Sequence, residues 1–227
     1  MRHNNASKTR AGEASSQETR NRILEATLET IKTEGILGAS ARAIARHGNF
    51  NQASIYYHFG SINDAVLAAV HQMSDERLHR YENRLEAVAS LPELVAVAAE
   101  LHREDVHSGT ILVLSQVMAG AAGDEIFGKE AAQVFQPWIA TVSRALHRAL
   151  ADSPLASALP IEDLSYAVCA LFVGIELLGH LSPNNAGGGP SIFSAIDGIA
   201  RLVDALLRLA PALPGLLPAV SQPSVGQ

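Results

Sequence analysis

Between Asn49 and Asn63 the sequence NFNQASIYYHFGSIN places a glutamine, two adjacent tyrosines and a histidine in a segment with room for about two helical turns before Gly60. Their shared chemistry is hydrogen bonding. Gln52 can present a bidentate amide to the edge of an adenine, and Ala53 beside it can touch a thymine methyl. The hydroxyls of Tyr56 and Tyr57 and the ring of His58 can donate to phosphates, and backbone amides at helix starts add to that. At about 100° per residue, Ile55 and Phe59 face one way and Ala53 and Tyr57 the other, with Ser54 and Tyr56 on the flanks. The outward face is small at its centre and polar around it, which suits a close approach to base edges. Taken singly, aromatic rings at helical spacing are more often core than contact. The local signals around them favour the outward reading.

Those signals describe three short elements. Ile23, Leu24, Thr27, Leu28 and Ile31 repeat at helical spacing from Glu18 to Glu34, and Gly35 stops the run. Ser40 is an N-cap for ARAIARHG, whose core residue is Ile44 and whose end is Gly48. Two residues later Asn51 can cap a third helix, with Phe50 placed to pack on Ile55 as a hydrophobic staple. Ser61 with Asp64 then resembles a capping box, opening a long helix through Val66, Leu67, Val70, Met73 and Leu78. Two short helices joined by a tight turn, with an orienting helix before them, match the helix-turn-helix arrangement. Charge agrees. Residues 1–60 hold 8 Lys/Arg against 5 Asp/Glu, net +3, while residues 61–227 hold 9 against 18, net −9, which together give the −6 of the chain. A small basic module on a larger acidic body raises the case for nucleic acid or an anionic surface at the N-terminal end.

The segment TRNRILEATLETIKTEGILGASARAIARHGNFNQASIYYHFGSINDAVLAAV, Thr19 to Val70, resembles the DNA-binding domain of the tetracycline-repressor (TetR) family of bacterial regulators. The IYYHFGS signature, the Glu34-Gly35 turn and the Ala-Ile-Ala core of the second helix sit at the separations expected of it. The resemblance implies an all-α homodimeric transcription factor, an N-terminal three-helix module followed by a larger helical domain that binds a small effector. Gln52, Ala53, Ser54 and Tyr57 fall where the family meets base edges and nearby phosphates, Tyr56 and His58 where it clamps the backbone, and Thr19, Ser40 and Arg42 where it places further phosphate contacts. Two positions depart from the pattern. Ile62 stands where many members carry a phosphate-binding lysine, leaving Arg2, Lys8 and Arg10 of the arm to supply charge. HGNF replaces the usual Ala-Gly-Val turn, with Asn49 where a left-handed residue is needed, a conformation Asn tolerates.

Beyond residue 90 the pattern is amphipathic helices at Pro92–His107, Thr110–Ala122, Asp124–Ala151, Ile161–Leu181 and Ser191–Leu209, with no sheet expected. The division expected is a disordered basic arm at 1–17, the helix-turn-helix domain at 18–61, an effector-binding and dimerisation domain at 62–210 and a Pro-rich disordered tail at 211–227. In the resembling family the last two helices pair with those of a second subunit. Leu164, Val168, Leu171, Ile175 and Leu178, then Ile192, Ile196, Ile199, Val203 and Leu206, form apolar seams that suit such pairing or ordinary core packing. Candidate effector residues are His102, Met118, Phe135, Trp138, Phe172 and Glu176, large or polar groups on otherwise apolar faces. Glu176 stands out, because a carboxylate within ALFVGIELLG is unfavourable by several kcal/mol unless it reaches an edge or meets a partner such as a ligand or a histidine. An apolar lining favours a hydrophobic or aromatic ligand.

Other classes are less well supported. His71, Asp75 and His79 share one helical face at a spacing that could hold a divalent metal, with His102 and His107 near in sequence, but such spacing arises readily on a solvated helix. No phosphate-binding glycine loop, nucleophile elbow or His-Glu-x-x-His pair is present. No metal, no cofactor and no enzymatic turnover are expected. Docking of the basic arm on anionic lipid is opposed by Glu25, Glu29 and Glu34, which dilute the positive face of the first helix. The single cysteine, Cys169, lies in an apolar run, the N-terminus lacks the apolar stretch of a signal peptide, and the run Ala167–Ile175 stops at Glu176, too short for a bilayer. A soluble, cytoplasmic protein is expected.

Overall fold

The computed structural model of the chain describes residues 3–153, 156, 159–181 and 188–209. Its helices are α1 (His3–Glu34), α2 (Ala41–Gly48), α3 (Ala53–Phe59), α4 (Ile62–Glu86), α5 (Leu91–Ser108), α6 (Thr110–Ala121), α7 (Glu125–Ala132), α8 (Gln136–Ala149), α9 (Ile161–Leu181) and α10 (Gly188–Leu209). Short 3-10 turns lie at Ile36–Gly38 and Gln133–Phe135, and no strand occurs among the described residues. The predicted tail at 211–227, Arg2 and residues 182–187 of the SPNNAGGGP loop lie outside the described residues.

The chain divides into two compact units, one of Met1–Arg77 with Val106–Val134, the other of Leu78–Asp105 with Phe135–Gln227. In the first, α1, α2, α3 and the start of α4 close on Ile23, Ala26, Ile44, Ile55 and Ala65, with Phe50, Phe59 and Ile62 packed against them. Ile23, Ile44 and Ile55 are wholly buried, each stabilising the module by about 1.5–3 kcal/mol. The local signals are realised. Ser40 Oγ accepts the amide of Ala43 at 3.2 Å, and Asn51 Oδ1 accepts that of Ala53 at 2.9 Å. The Asp64 amide donates to Ser61 Oγ at 3.0 Å while the Ser61 hydroxyl donates back to the Asp64 carboxylate at 2.6 Å. Asn49 ends α2 in the left-handed region, φ 51° and ψ 54°.

A second cluster in the same unit joins Ile31 of α1 and Val66 and Val70 of α4 to Val113 and Val117 of α6 and Phe127 of α7. A boundary was expected at residue 61. The compact unit instead runs on to Arg77 and takes in 106–134, because the apolar faces of α6 and α7 find their partners on α1 and α4. The other unit has its own core, in which Tyr81, Leu85, Val97, Leu101, Val142, Leu146 and Ile161 are buried. Arg148 donates to the carbonyl of Leu85 at 2.7 Å, supplying a donor to a helix end whose last carbonyls have no partner within the helix. Tyr81 donates to Glu104 at 2.6 Å, and burial together with that carboxylate pushes its phenol up to about 12.

Three boundaries differ from expectation. Helix α1 starts at His3, not Glu18. Residues 3–17 lack apolar periodicity but contain Ala6, Ala11 and Ala14 among Lys, Arg, Glu and Gln, which are good helix formers. The helix expected over Asp124–Ala151 is broken at Gln133–Phe135, where Pro137 occupies the first turn of α8 and has no amide to continue α7. Helix α10 begins at Gly188 rather than Ser191.

The turn between α2 and α3 leaves no room for a side chain at Gly48. A Cβ on Gly48 would lie 2.1 Å from Phe50 Cε1 and 2.9 Å from Ala26 Cβ. Gly48→Ala is therefore expected to destabilise the chain by about 1–3 kcal/mol, the usual effect of overpacking, read as a lowered midpoint in thermal or urea denaturation.

Candidate nucleic-acid interface

Helix α3 is held at both ends by arginines of α1. Arg22 donates from one guanidinium nitrogen to the carbonyls of Gly48 and Asn49, at 2.9 and 3.0 Å, and its guanidinium lies 6.0 Å from the ring centre of Phe50. At the other end Arg20 lies 5.0 Å over the Phe59 ring. A second set fixes α2 against the end of α1. Glu34 Oε1 accepts from Arg46 at 2.5 Å and meets His47 Nε2 at 2.8 Å, and the hydrogen bonds from Arg46 and then His47 hold the Glu34 carboxyl below its ordinary range. None of these tertiary contacts is signalled by spacing, since the partners lie 26 and 27 residues apart for Arg22 and 12 and 13 apart for Glu34. Paired arginines before Ile23 were the only available hint.

So held, α3 turns its residues as the 3.6-residue period requires. Ile55 is 0% exposed and Tyr57 is 83% exposed. Gln52, Ala53 and Tyr56 are exposed, and Ser54 and His58 are half-buried on the flanks. The Tyr57 and His58 rings meet edge to face, 5.0 Å between centres at 87°. Arg42, Ala45, Arg46, Phe50 and Gln52 line an open depression on the same side, so the exposed Arg42 and the amide of Gln52 are brought together. Ser40 is exposed, and its oxygen is used in capping α2. Thr19 is different. Its hydroxyl already donates to the carbonyl of Ser15 at 3.0 Å within α1. The surface as built offers amide, hydroxyl, imidazole and guanidinium donors around a small apolar centre, which is the chemistry of groove edges and phosphates.

The residues singled out in the body separate. His102 and Glu176 come together, Nδ1 to Oε1 3.3 Å, with Glu176 wholly buried. Phe193 lies against the His102 ring, 5.2 Å between centres, and burial lowers the imidazole pKa. Trp138 and Phe172 pack against the core of that same unit. Phe135 is half-buried at the turn before α8. Met118, 38% exposed on α6, belongs to the other unit. Of the apolar seams, Ile175 is 9% exposed and Val168 packs on the core of its own unit, whereas Leu164, Leu171, Ile199, Val203 and Leu206 are exposed. Ile196 is half-buried. His71, Asp75 and His79 form no metal-holding group among the described residues, and no described helix is long and apolar enough to cross a membrane.

Replacement of Arg22 by Met removes both carbonyl contacts at the turn while keeping an apolar stem. Because the guanidinium is exposed, the expected loss is about 1 kcal/mol in denaturant unfolding, with faster amide exchange at Phe50 to Ile55 if the turn loosens.

Comparison with known proteins gives a consistent set. Residues 23–69 match the family described as bacterial regulatory proteins, tetR family. An uncharacterised HTH-type transcriptional regulator of Mycobacterium tuberculosis H37Rv is 23% identical over 155 residues, 68% of this chain and 77% of that protein. Among solved structures, a tetR-family transcriptional regulator from Cytophaga hutchinsonii superposes with a TM-score of 0.66 at 17% identity, over 82% of this chain and 95% of that one. The regulator FadR of Bacillus subtilis, solved with stearoyl-CoA, does so with a TM-score of 0.64 at 12% identity, over 77% and 96%.

Proposed function

We propose that the chain, whose residues 23–69 match the family described as bacterial regulatory proteins, tetR family, is a member of that family and a homodimeric repressor, released from a near-palindromic DNA operator by a small hydrophobic or aromatic effector. The observation that carries the DNA reading is the division of α3 between a wholly buried Ile55 and an exposed Gln52, Ala53 and Tyr57. Gln52 and Ala53 read base edges, with Ser54 and Tyr57 reaching edges and nearby phosphates. Tyr56, His58, Ser40 and Arg42 hold the backbone. Thr19 joins them only by giving up its bond to Ser15, which makes it the weakest member of the set. Ile62 contributes no charge, and this reading leaves Arg2, Lys8 and Arg10 of the arm to supply it.

Dimerisation is supported by the face of α9 and α10 that the chain itself leaves in water. Leu171 is 54% exposed, Leu178 68%, Ile199 63%, Leu202 61% and Leu206 57%. So many large apolar side chains in water on two helices are unusual on a monomer. Two copies related by a two-fold would set their α3 helices about one DNA turn, roughly 34–36 Å, apart and would require two-fold-related half-sites. The effector site favoured is the His102–Glu176 pair with Phe172 and Trp138 in the same unit. A fold-related regulator was solved with an acyl-CoA, in keeping with an apolar ligand. To empty the operator, the effector must prefer the DNA-incompetent state by on the order of 5 kcal/mol. The similar proteins are regulators, and no turnover is assigned to this one.

Selection of duplexes from a random pool by the purified chain tests the reading. The wild type is expected to enrich a two-fold-related sequence and the double variant Gln52→Ala, Tyr57→Ala to enrich none. Failure of the wild type across a range of salt would overturn it. For the subunit contact, Ile199→Asp is expected to convert a sedimenting dimer into a monomer with α-helical content retained.

A further inference from the structure

One carboxylate of the first unit serves two donors, and one of those donors lines the face proposed to meet DNA. Arg46 lies one turn beyond Arg42 on α2, and with Ala45, Phe50 and Gln52 the two arginines line the open depression beside α3. None of these lining residues is acidic. The carboxylate that balances Arg46 comes from outside the depression. Glu34, the last residue of α1, accepts on Oε1 from Arg46 Nη2 at 2.5 Å, and the same oxygen lies 2.8 Å from His47 Nε2. That imidazole nitrogen also stands 3.4 Å from Thr33 Oγ1. Even while so engaged, the Arg46 side chain is 61% exposed, against 25% for His47. Of the two groups at one oxygen, the arginine is the one that faces water and the depression.

Resting on the DNA-binding reading above, we propose that Arg46 is a phosphate contact held back by Glu34: on a duplex its guanidinium leaves the Glu34 carboxylate for a backbone phosphate beside Gln52, and His47 stays with the carboxylate. The exchange is favourable because its two sides are unequal. An exposed ion pair contributes little, whereas a guanidinium on a phosphate makes charge-assisted hydrogen bonds and releases counterions from the duplex. His47 makes the exchange possible. A carboxylate left without a partner would repel the incoming phosphate, but the imidazole already stands at the same oxygen and keeps α2 tied to the end of α1 while Arg46 moves. The hydrogen bonds from Arg46 and then His47 hold the Glu34 carboxyl below its ordinary range, so it competes with the phosphate as a full anion. Glu34 therefore sets affinity from outside the surface that touches DNA.

The probe is the duplex that the wild-type chain enriches from the random pool, and the readout is the slope of log affinity against log salt concentration for the full-length protein. Loss of one phosphate contact lowers that slope by about 0.9 for each subunit bound. Arg46→Gln is expected to lower it so, with binding about tenfold weaker at low salt and the enriched sequence unchanged, since a phosphate contact carries no base information. Arg46→Lys keeps the charge and is expected to keep the slope. Glu34→Gln, which retains an acceptor oxygen, is expected to bind about threefold tighter than wild type and to lose that gain when Arg46→Gln is added. Because a slope compares one sample with itself across salt, a variant that yields less folded protein still gives a reading. A wild-type slope in Arg46→Gln, or a lowered one in Arg46→Lys, overturns the phosphate contact. No gain in Glu34→Gln, or a gain that survives in the double variant, overturns the restraint by Glu34. A wild type that enriches no duplex overturns the DNA reading, and the role of Arg46 falls with it.

Discussion

Everything proposed for the N-terminal module depends on Ile55 having no exposed surface. It meets Ile23, Ile44 and Ala65, one from each of the three helices around it, in a single buried cluster. With one side of a seven-residue helix fixed, the opposite side is fixed as well, because side chains four positions apart share a face and those two apart do not. Helix α3 is too short to be stable alone. Its orientation is therefore set by its neighbours, and the two arginines of α1 at its ends complete what the isoleucine begins.

The elements of this module were legible because their signals are local. Ser40 and Ala43, Asn51 and Ala53, and Ser61 and Asp64 are each two or three residues apart, and Asn49 sits where only a residue tolerant of positive φ could turn the chain. Glu176 was legible in another way. A carboxylate within an apolar run demands a partner, and a histidine was among those expected; His102 supplies it from 74 residues away. Contacts without such demand were not readable. Nothing in the order of residues says that Gln116 accepts from Ile36 across 80 positions, or that Arg22 reaches over to Gly48. Pro137 was in plain view, yet a proline is as much at home in the first turn of a helix as it is disruptive inside one. The seams of α9 and α10 were similarly ambiguous. A period of 3.6 marks an apolar stripe without saying which part of it faces the chain's own core, as Ile175 and Val168 do, and which part faces outward, as Leu171 and Leu178 do.

Charge and burial are distributed to match. The body's net negative charge lies in the same chain as a net positive module, so on the proposed reading discrimination comes from close contacts on α3 rather than from a general attraction to polyanions. Inside the body, the ion pairs of α4 with α5 are partly exposed and contribute little by themselves. The His102–Glu176 contact is of the opposite kind. In a desolvated setting, losing either member would leave the other without that contact where water cannot replace it.

Gln52, Ala53 and Tyr57 make no contribution to the buried cluster that fixes α3. Substitutions at such exposed positions usually leave stability within about 0.5 kcal/mol. The surface proposed to read DNA can therefore drift in chemistry over generations while the scaffold beneath it stays as it is, and two descendants of this chain could diverge completely in what they recognise while remaining interchangeable in how they fold.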